Sequence, residues 1–576
     1  MKVWLQLCFS LLFFFSGAST TTALEVVLLQ DEPAADSLVE WELRGVDAAW
    51  LTSDVSRTPI LQVTSPNNRS WERRAFLYQP CQASKADAAA IPMGDLVLRF
   101  RHTPRVDGAH KWVIKAPDGS ELSSGILKVT KKTGAYPLGM LQVSTDNPRL
   151  LAFKDGSVFI PIGPNLCWAN APNQLGKFSS WFEILGKEKC NHVRLWCASW
   201  CGQIEGDQPD SYRQDQAWLF DQILERARKH GLKVTVVIDN HHDLGLGKFF
   251  PYGKTYEERL KSFLSVPIGA QYQRRLQYML ARWGADDTIA AWELMNELDL
   301  AQPQRESALR WAAAAAKTIS GFDIDNRLIT VSWSGDDWDL VAKMEHIDVA
   351  QIHSYVLEWT DKIGLRRKVT RDGVDMLLNS ADRGNSLGKP FCFSEVGYQG
   401  TNEDNPGNVA DKQGLLLRQQ AWAGFLLGGY GSGMNWWWDV YIEPRKLWKH
   451  YGSMARTVAK LDWRDSELLP LTPNSGGSIR VIGWQSPTQA LLWPQVRADT
   501  WHAHLVEGHG RSQLTLEQSV RLSGMKPQTR FQVHYLDMLS GDERSYREVK
   551  SDADGRFNLA VISPNVDVVV WIEQAQ

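Results

Sequence analysis

The sequence has no Lys/Arg block and almost no net charge, since 63 basic against 66 acidic residues leave −3 at neutral pH. A nucleic-acid partner would demand a basic footprint for its phosphates, so that class is excluded and a neutral polymer suits the surface better. Long apolar runs are also missing. The single exception is Leu5 to Phe15, too short for a stable membrane span, and nothing later in the chain is long enough to cross a bilayer. With Lys2 before it and Ser16-Gly17-Ala18 and Thr22-Ala23 after it, residues 1–23 read as a signal peptide, cleaved after Ala18 or Ala23. The expected location is therefore secreted or periplasmic. Internal repeats and disordered linkers are absent from the pattern, so the parts of the chain are expected to pack as one body.

Cysteine is scarce. Of seven, Cys8 lies in the leader, which leaves Cys81, Cys167, Cys190, Cys197, Cys201 and Cys392. An exported compartment permits disulfides, and Cys197 and Cys201 are close enough to close a small loop, whereas Cys190 and Cys392 read as buried thiols in strand regions. No second ligand pair accompanies Cys197-x3-Cys201, which argues against zinc there. Tryptophan, by contrast, is abundant at 26 of 576 residues. Most are core filler, but the excess suits a protein that handles sugars, whose apolar C–H faces stack on indole.

The length leaves room for two to four domains. Residues 24–133 carry short alternating strands (Leu38–Leu43, Leu96–Arg101, His110–Lys115) broken by Pro, Gly and Asp, the pattern of a β-sandwich. From 134 to 465 the periodicity changes, and short apolar strands alternate with amphipathic helices such as Trp218–His230, Glu306–Ile319 and Gln413–Leu427. Eight strands can be counted: Val158–Gly163, His192–Trp196, Lys233–Ile238, Ile289–Met295, Leu328–Trp333, Val349–His353, Pro390–Glu395 and Gly433–Trp438. That is the requirement of a (β/α)8 TIM barrel, whose site lies at the strands' C-terminal ends. From 466 to 576 strands return and helices stop, which reads as a second sandwich. The fold class is thus α/β, a barrel flanked by N-terminal and C-terminal β-sandwich domains.

Two strand ends carry glutamates. Trp292-Glu293-Leu294-Met295-Asn296-Glu297 closes the fourth strand with an amide and a carboxylate, and Phe391-Cys392-Phe393-Ser394-Glu395-Val396-Gly397 closes the seventh with one carboxylate before a glycine turn. As a set, Asn296-Glu297 and Ser394-Glu395-Val396-Gly397 resemble the two catalytic motifs of clan A (four-seven superfamily) glycoside hydrolases, most closely the family 5 cellulase and mannanase type. The resemblance covers about three hundred central residues. It implies a retaining glycoside hydrolase cleaving O-glycosidic bonds in a β-linked polysaccharide or oligosaccharide, with Glu297 as acid/base and Glu395 as nucleophile, no metal and no cofactor. A retaining enzyme needs its carboxyls about 5 to 5.5 Å apart, which opposite strand ends of a small barrel can supply.

By the same resemblance, Arg194 on the second strand contacts the nucleophile, Asn296 holds the sugar 2-hydroxyl, His353 and Tyr355 flank acid/base and nucleophile from the sixth strand, and the third-strand end carries a sugar-binding histidine. Between His241 and His242, alternation does not decide at a turning chain end, and His242 is preferred. In Trp436-Trp437-Trp438 the outer two share a face, so Trp437 is preferred as the floor of the sugar site; Trp168, Trp196 and Trp200 are further cleft candidates. Two rival classes remain open. One is a non-catalytic carbohydrate-binding protein on a decayed barrel, which has no physical reason to keep both glutamates. The other is a metal-dependent barrel hydrolase built on the Asp239 to Asp243 cluster with His353; the first strand, ending in Pro164-Asn165-Leu166-Cys167-Trp168, lacks the His-x-His such sites start from.

Overall fold

A computed structural model describes residues 24–84, 90–132, 139–170, 172–246, 251–302, 304–357, 370–400, 405–473, 477–510, 519–561 and 567–575. The expected leader, residues 1–23, lies outside them. Among the described residues no helix is long and apolar enough to cross a membrane.

The N-terminal part forms two four-stranded antiparallel sheets. One runs Glu25–Leu28, Val39–Arg44, Val97–His102, Phe76–Tyr78, the other Glu121–Val129, Gly108–Lys115, Ile60–Thr64, Ser70–Arg74. Alternation explains the pairing of faces: in Ile60–Thr64 only Leu61 and Val63 are buried, and they share a core with Trp41, Leu43, Leu98 and Phe100. A hairpin of three short strands, Leu141–Val143, Leu151–Phe153 and Val158–Phe159, leads into the barrel.

Val158 and Phe159 therefore pair antiparallel with Ala152 and Leu151 rather than opening the barrel as expected. The first barrel strand follows them. Pro161 and Pro164 have no N–H to donate, so it is held by few bonds: Ser432 N donates to Pro161 O, Asn165 N to Asn435 O and Leu166 N to Arg194 O. His192–Trp196, Lys233–Val237, Ile289–Glu293 and Leu328–Thr330 follow as parallel neighbours, and Ala350–Val356 pairs in parallel with Phe391–Tyr398. Asp348 N to Ile329 O joins the fifth to the sixth strand, and Met434 N to Phe393 O joins the seventh to the eighth, closing the ring. The eighth strand ends at Trp436, because from Trp438 to Ile442 the chain winds into a π-helical turn.

Helices cover the ring as the periodicity predicts. In Gln214–Lys229, for example, Ala217, Trp218, Phe220, Ile223, Leu224 and Ala227 form the buried stripe, while Arg226, Arg228 and Lys229 crowd the last turn, where the helix dipole favours cations. Leu415–Leu426 is buried on every side. It lies between the barrel and the C-terminal part, a six-stranded antiparallel sheet (Leu469–Pro470, Ile479–Gln485, Gln489–Val496, Val568–Gln574, Arg530–Asp537, Glu543–Lys550) with a separate two-stranded ladder. The expectation that helices stop there is corrected by one turn and a half, Trp501–Leu505, capped by Thr500, whose Trp501 packs on Tyr398 beside the seventh barrel strand.

Ion pairs tie the parts together: Arg73 to Asp325 at 2.7 Å, Arg101 to Asp221 at 2.8 Å and Arg418 to Asp567 at 2.9 Å, all buried, and buried Arg480 to half-buried Asp372 at 2.8 Å. Such pairs add little net stability, but removing one partner strands a buried charge at a cost of about 3–5 kcal/mol, so they fix relative position. One apolar core runs without a break from Trp41 through the barrel to Trp484 and Trp493, and a second, around Phe531, Tyr535 and Val570, lies between the C-terminal sheet and its two-stranded ladder, which adds Leu522, Phe557 and Leu559. The six cysteines among the described residues are all free thiols, Cys197 and Cys201 included.

Candidate active site

The fourth strand turns at its end because its neighbours take its last hydrogen bonds. Leu294 N donates to Thr330 O, Asn296 N to Asp239 O, and Glu297 N to Ser332 Oγ at 2.9 Å. Glu297 itself sits in the left-handed region at φ 47°. That conformation is costly for a residue with a Cβ and persists where the surroundings over-determine it, commonly at functional sites. On the seventh strand the register slips between the Ile352–Phe393 and His353–Glu395 pairs, leaving Ser394 as the extra residue of a bulge. The bulge re-aims the chain and sets Glu395 directly opposite His353. Two residues on, Gly397 has φ 144°, and a Cβ there would stand 3.2 Å from the Trp437 ring, so glycine admits both the turn and the indole.

Arg194 is the hub, with 1% of its surface exposed. Its Nε and Nη2 donate to Glu293 Oε2 and Oε1, both at 2.7 Å; Nη1 donates to Glu395 Oε1 at 2.7 Å, and Nη2 also reaches Asn296 Oδ1 at 2.6 Å. Because Arg194 can only donate, the Asn296 oxygen faces it and the amide nitrogen faces His241 Nδ1, 3.2 Å away. Tyr355 Oη donates to Glu395 Oε2 at 2.5 Å. His353 Nδ1 lies 2.8 Å from Glu297 Oε1 and 3.4 Å from Glu395 Oε2.

Burial, reinforced by Asp299, pushes the Glu297 carboxyl up to about 7. Burial also raises Glu395, against the pull of His353 and Arg194. The two carboxyls share one neighbourhood, and the donors decide which is ionised: Glu395 accepts from Arg194 and Tyr355 and is approached by His353, whereas among the described residues the oxygens of Glu297 accept only from His353. The negative charge belongs on Glu395 and the shared proton on Glu297. Burial pushes His353 down, and burial with the neighbouring His242 pushes His241 to about 3, so both rings are neutral near pH 7.

Arg194, Asn296, Glu297, His353, Tyr355 and Glu395 are thus brought together as the sequence reading requires. His242 is not. Helix His241–Leu246 starts immediately after the third strand and turns His242 outward to an exposed position, while His241, 3.6 Å from Glu297 Oε2, faces the carboxylates. Trp437 lies against Gly397 with its Nε1 bonded to Tyr398 O at 2.8 Å, and half-buried Trp436 joins Trp168, Trp196 and Trp438 in an edge-to-face cluster. Glu293, Asn165 and Asp299 were missed. Glu293 could have been flagged, being a carboxylate inside a strand that is otherwise apolar on both faces. Glu297, His353 and Glu395 also place one ligand atom each within 4.8 Å of one another, close enough to hold a cation. A cavity of about 390 Å³ near Lys233 lies at the opposite, N-terminal pole of the barrel, away from the carboxylates.

A barrel with two facing glutamates at the ends of its fourth and seventh strands defines a class, the clan A glycoside hydrolases. The family model described as Cellulase (glycosyl hydrolase family 5) matches residues 154–439, and the barrel belongs to that family. A mannan endo-1,4-beta-mannosidase 1 of Oryza sativa subsp. japonica is 26% identical over 284 residues, 42% of this chain and 66% of its own length. A probable mannan endo-1,4-beta-mannosidase F of Neosartorya fischeri is 24% identical over 236 residues, 38% of this chain and 49% of its own. The chain thus spans about half to two-thirds of the length of these relatives. Among solved structures, a protein of Bacteroides vulgatus matches 95% of this chain and 100% of its own at TM-score 0.61 and 15% identity. A glycoside hydrolase family 5 structure from the same organism matches 76% and 94% at TM-score 0.52 and 13% identity. These likenesses concern the fold.

Proposed function

We propose that this chain is a retaining glycoside hydrolase that cleaves β-linked polysaccharide or its oligomers, with β-1,4-mannan as the first substrate to test because the curated relatives named above carry that activity in their names. The observation that carries the reading is the separation of the two carboxyls, which have oxygens within 4.8 Å of each other. That distance suits direct attack and leaves no room for the water that an inverting enzyme places between carboxylate and sugar.

In this reading Glu395, ionised by its donors, attacks the anomeric carbon while Glu297 gives its proton to the departing glycosidic oxygen. A water then attacks the glycosyl-enzyme ester, losing its proton to Glu297 and releasing Glu395. Arg194 and Tyr355 hold the nucleophile, and Asn296 offers its amide to the 2-hydroxyl. His353 orients Glu297, and His241 takes the sugar-binding part that sequence alone assigned to His242. Trp437, with half-exposed Trp168, Trp200 and Trp436, lines the sugar floor. The flanking sheets, at 24–133 and 466–576 around a 134–465 barrel, are read as β-sandwich domains, and residues 1–23 as an export leader. The cation reading draws on the Glu297, His353, Glu395 cluster; against it, Arg194 and Tyr355 already hold the Glu395 carboxylate, and the guanidinium beside it repels a second cation. A panel of β-mannans, β-glucans, xylans and aryl β-glycosides tests the proposal, and no hydrolysis of any of them would remove it in favour of a carbohydrate-binding protein.

A further inference from the structure

Glu293 is a fully buried carboxylate that the proposed chemistry does not use. It is the last residue of the fourth strand, in register with Val237 on one side and Thr330 on the other, and none of its surface is exposed. Both of its oxygens accept from Arg194, in the parallel two-bond arrangement that is the strongest a guanidinium makes with a carboxylate. Glu395 receives a single bond from the remaining edge of the same group. One cation therefore serves two buried anions, and the anion holding the better geometry is the one that never meets substrate.

We propose that Glu293 is a positioning residue: by holding the Arg194 fork it limits how much of the guanidinium charge reaches Glu395, keeping that carboxylate basic enough to attack carbon. An arginine facing Glu395 alone would make a tight ion pair and a poor nucleophile. With Glu293 in place the buried set of Arg194, Glu293 and Glu395 carries one surplus negative charge. In keeping with that charge balance, burial leaves Glu395 above its ordinary range, while Arg194 overcomes burial to hold Glu293 below its own. The other groups facing Glu395 are Glu297 from the fourth-strand end, His353 and Tyr355 from the sixth strand, and the Cys167 thiol from the first. Those facing Glu293 are Cys392 of the seventh strand and Tyr430 before the eighth, both held protonated by burial, together with the same Glu297, His353 and Cys167. Among the described residues, Arg194 is the one fixed cation facing these two carboxylates.

The inference rests on Glu395 being the nucleophile, and the test separates the two claims. Glu293→Gln in the full chain preserves shape and both acceptor directions in part, but removes the charge. On an activated aryl β-glycoside, which does not need the Glu297 proton, the acid limb of kcat/KM should move down by about one pH unit as Arg194 turns its charge to Glu395. The plateau should fall about tenfold with the lost basicity. Glu293→Asp, which keeps the charge but falls one methylene short of the Arg194 fork and so loosens its hold, should shift the limb in the same direction by less, and it decides the matter if the Gln variant shows no cooperative melt. An infrared titration of the carboxylate band, wild type minus E395Q, reads the same ionisation without turnover. A limb and a band that stay in place, or move upward, in a folded variant overturn the proposal. A wild type that hydrolyses nothing while the band still shifts overturns the functional reading, and with it the nucleophile's part in this one, and leaves standing only that Glu293 sets the ionisation of Glu395.

Discussion

His353 Nδ1 stands 2.8 Å from Glu297 Oε1, and the other ring nitrogen of His353 is buried with no hydrogen-bond partner among the described residues. A neutral imidazole carries one N–H. Left on Nε2 that hydrogen would be stranded, so it belongs on Nδ1 and is donated to Glu297 Oε1. The proton Glu297 gives away is then on Oε2. His241, whose Nδ1 accepts from Asn296, lies 3.6 Å from that oxygen and does not take it.

The first prediction is a pH dependence. With the Glu297 carboxyl at about 7, kcat/KM on substrates with poor leaving groups should fall above pH 7, as the acid loses its proton. The same shift is a stability statement: the folded state holds this proton more tightly than the unfolded chain, so stability should decline as pH rises from the ordinary carboxyl range to about 7. Glu297→Gln should therefore raise the melting temperature at pH 8, by an amount corresponding to roughly 2 kcal/mol, and leave it nearly unchanged at pH 4. Equal melts at pH 8 would contradict the assignment.

Leaving-group dependence separates the two glutamates. Glu297→Ala should slow natural polysaccharide by about a hundredfold or more while sparing activated aryl glycosides in the first step. Glu395→Gln should abolish both, because no bond to carbon can form. Steady-state rates on paired substrates check this.

Stereochemistry follows from the spacing of the carboxyls. Proton NMR of the first-formed product should show the β-anomer, retained through two displacements. An initial α-anomer would mean that a water fits between Glu395 and the sugar.

The two histidines after the third strand should behave differently. Removing His241 takes away the acceptor of the Asn296 amide and a ring facing Glu297, so His241→Ala should lower kcat/KM by about tenfold or more, as expected when a buried amide loses its partner. His242→Ala, at an exposed position, should change it less than twofold, within the usual range for surface substitutions.

Metal removal tests the cluster of Glu297, His353 and Glu395. Activity should be unchanged after dialysis against EDTA. Loss with recovery on added zinc would identify the cluster as a cation site.

The sequence by itself determined the class of architecture and the two strand-end glutamates proposed to react. Strand and helix periodicities differ, so the switch near residue 134 was visible, as were eight strands and two glutamates at strand ends, because each is a local property of spacing and residue type. Buried thiols at Cys190 and Cys392 were legible for the same reason. Tertiary structure alone decided the rest. Two prolines moved the first barrel strand past Val158-Phe159, since ladder bonds depend on which neighbours can donate. Whether His241 or His242 faces Glu297 was settled by the helix that begins there, a rotation that two adjacent identical residues cannot encode. And the division of one guanidinium between Glu293 and Glu395 has no sequence signature, because it arises from strands two, four and seven converging at a point, with Arg194 99 residues before Glu293 and 201 before Glu395.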